Sequence, residues 1–128
     1  MSGRSGQMRI LIVDDDPDIR EAMSEMLELE GHRTACAADG REALEILRRD
    51  GIATCLILLD LRMPVMNGWE FRAEQRRDRR LASIPVVVVT ADESAGNTPG
   101  LDAEGILRKP IRGADLTRVV SRFCPALA

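Results

Sequence analysis

The sequence predicts an α/β domain in which a parallel sheet is sandwiched between helices. Three observations predict it. Five short apolar runs alternate with helical patterns along the chain. Two of those runs, Leu56-Ile57-Leu58-Leu59 and Val86-Val87-Val88-Val89, are apolar without interruption, as in strands covered on both faces. The length, 128 residues with 45% hydrophobic, suits one domain with one core.

Residues 1–7 (MSGRSGQ) are small and polar and read as a flexible leader. The domain is expected over 8–124, with 125–128 as a tail. Arg9 to Val13 is the first strand, ending in Asp14-Asp15-Asp16. Asp16-Pro17 then starts a helix, with Asp as N-cap and Pro in the first turn. Ile19, Met23, Met26 and Leu27 recur at helical spacing, and Gly31 closes the helix. Arg33 to Ala37 is a short second strand. Asp39 caps a second helix with Ala43, Leu44 and Leu47 on one face, and Gly51 lies past its end.

The central strand ends at Asp60, and a turn-rich loop with Asn67 and Gly68 leads to a third helix near Trp69 and Phe71. Ile84 to Thr90 is the fourth strand, with Pro85 near its start, where proline is tolerated. A polar stretch, 91–102, follows. Gly105 to Arg108 is a brief fifth strand, then Lys109-Pro110. Ala114 to Phe123 is a final amphipathic helix carrying Leu116, Val119, Val120 and Phe123.

Composition excludes several classes. A net charge of -3 argues against nonspecific nucleic-acid binding. No apolar run reaches the length of a membrane span, no signal peptide precedes the first strand, and no DNA-binding domain is visible. The three cysteines, Cys36, Cys55 and Cys124, fit no metal or redox spacing and read as buried free thiols in a reducing cytoplasm. Of 18 basic residues, one is lysine, Lys109. A compact ammonium in a chain so committed to arginine hints at a position that a planar fork cannot fill.

In a parallel sheet every strand exits at the same edge. Asp14 and Asp15, Asp60, Thr90 and Lys109 therefore converge on one rim. Carboxylates held that close repel, and a hard divalent cation such as Mg²⁺ relieves them. Metal, ammonium, hydroxyl and a nucleophilic carboxylate together suit phosphoryl transfer. An alternative makes Asp14 and Asp15 helix-capping residues and Asp60 a turn residue. Taken singly, Thr90 is an ordinary strand-end residue and His32 a surface one.

Over residues 8–123 the chain resembles the receiver domain of two-component response regulators. Val13-Asp14-Asp15-Asp16, Leu59-Asp60-Leu61-Arg62-Met63-Pro64 with Gly68, Val89-Thr90-Ala91 and Lys109-Pro110 carry the resemblance. It implies a doubly wound, flavodoxin-like five-stranded parallel sheet of order 2-1-3-4-5. It implies Asp60 as phosphoacceptor, Asp14, Asp15 and Asp60 as Mg²⁺ ligands, and Arg62 as a ligand through its backbone carbonyl. Thr90 would contact the phosphoryl group, Lys109 would pair with Asp60, and the Lys109–Pro110 bond would be cis. The partners it implies are a histidine kinase or histidine phosphotransfer protein as donor and a protein target downstream, in the cytoplasm. The rival functions are a phosphorylation-independent adaptor with the same fold and a Mg²⁺-dependent phosphohydrolase.

Three departures from the family concern output. Ile106 stands where receivers usually carry an aromatic residue, so the familiar threonine–aromatic switch cannot operate as such. Gly96, Asn97, Thr98, Pro99 and Gly100 predict a shortened or irregular fourth helix between the fourth and fifth strands. The third helix is expected to carry Arg72, Arg76, Arg77, Arg79 and Arg80. They read as a solvated basic face partnered by Glu70, Glu74 and Asp78, and a docking patch for an acidic partner is the sharper alternative.

Overall fold

The computed structural model describes residues 8–50, 53–92, 94 and 100–125. Five strands, β1 (Arg9–Val13), β2 (Arg33–Ala37), β3 (Thr54–Asp60), β4 (Val86–Thr90) and β5 (Gly105–Arg108), form one sheet of order β2-β1-β3-β4-β5. Every pairing is parallel. Four helices are described: α1 (Pro17–Leu29), α2 (Gly40–Asp50), α3 (Gly68–Arg77) and α4 (Gly113–Phe123). The shortened helix expected between β4 and β5 falls mostly on 93 and 95–99, outside the described residues, as do the leader 1–7 and tail residues 126–128.

Alternation along the strands divides the core in two. Leu11, Val13, Ile57 and Leu59 point to the side covered by Leu44 and Leu47 of α2 and Phe71 of α3. Ile10, Ile12, Leu56 and Leu58 point to the other, under Met23 and Leu27 of α1 and Leu116 and Val120 of α4. A strand covered on both faces has no polar side, which is why β3 and β4 read as continuous apolar runs.

Local chemistry fixes the helix starts. Asp16 accepts from the Asp18 N–H at 2.9 Å. Asp39 Oδ1 accepts from Glu42 N–H while Glu42 accepts from Ala38 N–H. Asn67 and Glu70 close a reciprocal capping box at 2.9 Å each way. Gly31 ends α1 at φ 92°, which L side chains rarely adopt.

Two readings of the sequence need correction. The third helix stops at Arg77, so Arg79 and Arg80 lie beyond it, and Arg72 is not on a solvated face. It is 5% exposed, and its guanidinium donates to Leu101 O at 2.8 Å, Asp102 O at 2.7 Å and Gln75 Oε1 at 2.7 Å. Gln75, also buried, passes the network on to Leu81 O and Ile84 O. A fork with five donors satisfies carbonyls that would otherwise be buried without partners. Arg76 joins it, donating to Gly100 O at 3.1 Å. Thus α3 has few apolar residues because part of its inward face is a polar clamp on residues 100–102. Glu70 serves the capping box, whereas Glu74 does pair with Arg77 at 2.9 Å.

The cysteines also differ. Cys55 and Cys124 form a disulfide across a separation of 69 residues, and Cys36 is free but exposed. An odd count with no motif spacing conceals such a pair, because the start of β3 and the end of α4 meet only in the folded chain.

Candidate functional site

Four strand ends deliver the site residues to one rim. Asp14 and Asp15 follow β1, Asp60 ends β3, Thr90 ends β4 and Lys109 follows β5. Asp14 is 2%, Asp60 7% and Thr90 4% exposed, while Asp15 faces solvent. One carboxylate oxygen each from Asp14, Asp15 and Asp60 lie within 4.8 Å of one another. They border a cleft of about 500 Å³ that Thr90, Lys109, Arg62 and Asp92 also line.

The backbone aims these groups. Asp14 Oδ1 accepts from the Asp16 N–H at 2.9 Å, and Arg20 donates to the Asp14 carbonyl at 2.7 Å. Sequence reasoning missed Arg20, since a contact across six residues follows no helix or strand spacing. The other oxygen, Asp14 Oδ2, is buried and makes no well-formed hydrogen bond; it lies 2.9 Å from Lys109 Nζ. That ammonium is also 3.6 Å from Asp60 Oδ1. The Lys109–Pro110 bond is cis, as the resemblance implies.

Gly68 explains how α3 comes so near. Its N–H donates to Leu61 O at 2.9 Å, and a Cβ there would stand 2.6 Å from Asp60 O and 2.8 Å from Leu61 Cα. Only glycine lets the helix start rest against the strand end that carries Asp60.

Electrostatics follow from the crowding. Burial, then the Asp14 carboxylate, push Asp60 up to about 6, against the pull of Lys109 and a hydrogen bond from the Arg62 N–H. Burial works against the Lys109 ammonium, but the close Asp14 carboxylate, together with that of Asp60, outweighs it, so its pKa is raised. Three acids against one ammonium leave negative charge uncompensated. The donor set is oxygen only, and Asp14 Oδ2 has a lone pair unused, so the residues fit a hard cation such as Mg²⁺.

Thr90 is already engaged. Its hydroxyl accepts from the Asp92 N–H at 3.1 Å and donates to the Asp92 carbonyl at 3.2 Å. Arg62 stands at the mouth of the cleft, 3.9 Å from Asp92 Oδ2, with its guanidinium carbon 5.7 Å from the centre of the Trp69 ring. All five side chains expected at the rim are therefore together there.

Comparison with known proteins agrees with this geometry. The family model described as response regulator receiver domain matches residues 10–121. An uncharacterized 14.6 kDa protein of Leptolyngbya boryana is 35% identical over 94% of this chain and 92% of its own length. The DNA-binding response regulator MtrA of Mycolicibacterium smegmatis is 36% identical over 91% of the chain, which spans about half of that relative, 51%. Among solved structures, the receiver domain of a sensor histidine kinase from Pseudomonas aeruginosa PAO1 is similar at a TM-score of 0.83 and 28% identity. The match covers 93% of this chain and 98% of that one, whose magnesium ion is coordinated in its active site cleft.

Proposed function

The chain belongs to the response regulator receiver family, and from that premise we propose that Asp60 accepts a phosphoryl group from a phosphohistidine in the cytoplasm. The donor is a histidine kinase or histidine phosphotransfer protein, and the product signals by changed affinity for a protein target or by passing the group on. The observation that carries this reading is the meeting of Asp14, Asp15, Asp60 and Lys109 in one cleft.

An Asp60 oxygen attacks phosphorus, the new P–O bond forms, and the P–N bond of the donor breaks with its electron pair left on the imidazole nitrogen. At neutral pH the carboxyl is mostly ionised, and so a nucleophile, because its pKa lies near 6. Asp14, Asp15, Asp60 and the Arg62 carbonyl would hold magnesium. When bound, the ion supplies positive charge to the phosphoryl oxygens. Lys109, held between Asp14 and Asp60, turns toward one of those oxygens. Thr90 turns its O–H from the Asp92 carbonyl to another, and keeps the Asp92 N–H as donor.

An apolar groove of about 420 Å³, lined by Met23, Pro110 and Ile111, shares Ile19, Ala91 and Lys109 with the cleft. It offers the donor protein a surface beside the reacting oxygen.

The test is incubation of the full chain with magnesium and acetyl phosphate, read by intact mass. A gain of one phosphoryl group that Asp60→Asn abolishes is expected. No gain under any condition, or an equal gain in Asp60→Asn, overturns the assignment.

A further inference from the structure

We propose that Cys55 and Cys124 form a reversible thiol–disulfide modification site whose substrate is a low-molecular-weight disulfide such as oxidised glutathione, and that its state tunes the phosphorylation cleft. This rests on the receiver reading. The two Cα atoms stand 5.7 Å apart, within the ordinary span for a bridge. Cys124 is buried at the end of α4, and Cys55 is half-buried at the start of β3. Cys55 is thus the sulfur that an attacking thiolate reaches.

The placement is what links the pair to the site. Asp60 lies five residues after Cys55 on the same strand, and Lys109 lies fifteen residues before Cys124, at the entrance to α4. With the bridge closed, β3 and α4 become two arms of one covalent clip. It is pinned at one end; at the other, β3 carries Asp60, and α4 is joined by a short connection to Lys109, and the two charges are 3.6 Å apart. The core does not need the bridge to be complete, since Leu56, Leu58, Leu116 and Val120 already pack β3 against α4. Disulfides in a reducing cytoplasm are mostly transient or sensing ones.

The step balances. Two protein thiols and one disulfide RSSR give the Cys55–Cys124 bond and two RSH. Two electrons pass from the protein sulfurs to RSSR, and the two thiol protons end on the departing thiolates. Cys36 is exposed and lies on β2, opposite Ile12, whereas the Cys55 sulfur sits 3.5 Å from Arg9 O at the other end of β1. Cys36 has no partner in the pair and carries either one N-ethylmaleimide or one glutathione, which intact mass tells apart.

The experiment equilibrates the full chain in glutathione buffers from fully oxidised to fully reduced, caps thiols with N-ethylmaleimide and weighs the intact protein. At the oxidised end a single modification is expected, one N-ethylmaleimide or one glutathione on Cys36, and at the reduced end three labels, with the transition inside the range. Beryllofluoride affinity with magnesium, measured by calorimetry on the same samples, is expected to weaken at least about fivefold on reduction. A Cys55→Ser, Cys124→Ser double variant is expected to show the weaker value in every buffer; should it not fold, the wild-type titration decides alone. Three labels at the oxidised end, or one at the reduced end, overturns the exchangeable pair. Affinity that does not follow the label count overturns the coupling. Beryllofluoride binding to neither form overturns the receiver reading, while the label count still decides the thiols.

Discussion

Lys109 Nζ is nearer to Asp14 Oδ2, at 2.9 Å, than to Asp60 Oδ1, at 3.6 Å. Before phosphorylation the ammonium therefore rests chiefly on the acid beside the nucleophile. It holds Asp14, which is almost without solvent, and it remains close enough to follow charge arriving at Asp60. Lys109→Met leaves Asp14 and Asp60 facing one another uncompensated. A loss of about 1–3 kcal/mol in urea unfolding without metal is expected, partly recovered with magnesium. Phosphoryl uptake is expected to fall by about a hundredfold or more, since the lost cation acts where charge develops. Uptake within twofold of wild type would remove Lys109 from the chemistry.

The raised pKa of Asp60 fixes a sign. Its folded value, about 6, lies above the ordinary 3.8, so the folded chain holds a proton that the unfolded chain releases between about pH 4 and 6. Without metal, this group's contribution to stability falls as pH rises through that window, by about 2–3 kcal/mol in all. Lys109 has a raised pKa as well, so its contribution is full below 10.5 and is lost only above its folded pKa, outside the window. Asp60→Asn is expected to flatten the slope and to stabilise the metal-free protein at neutral pH. Chemical unfolding at pH 4.5 and 7 checks both.

Gly68→Ala places a methyl group 2.6 Å from Asp60 O and 2.8 Å from Leu61 Cα, both backbone atoms that yield little. A loss of about 2 kcal/mol or more is expected, together with weaker beryllofluoride binding, because α3 can retreat only by dragging on the strand end. A thermal melt unchanged within a degree would contradict the close contact.

Arg72→Met strips three hydrogen bonds and leaves the Leu101 carbonyl without its donor. The expected cost is about 2–4 kcal/mol. Arg72→Lys is expected to recover little, since one ammonium cannot reach three acceptors arranged for a planar fork. Exposed Arg79→Gln is the control and should shift stability by no more than about 0.5 kcal/mol. Urea titrations of the three variants side by side would show the order.

The strands and the rim were legible because each depends on short range. Uninterrupted apolar runs announce doubly covered strands, and a parallel sheet then gathers Asp14, Asp60, Thr90 and Lys109 without further information. The long-range polar partners were not legible. Nothing local says that Arg72 meets carbonyls 29 and 30 residues away, or that Cys55 meets a sulfur 69 residues on. Charged residues on a helix were read as solvated because most are; the buried one is an exception made by tertiary structure alone.

The contact between Arg62 and Trp69 has an optical consequence. The chain has one tryptophan and no tyrosine, so its near-ultraviolet emission reports a single ring. That ring's cationic neighbour reaches to Asp92 at the cleft mouth. A group that draws the guanidinium away is expected to change the indole's emission, so a magnesium or beryllofluoride titration followed by fluorescence would serve as a label-free gauge of occupancy.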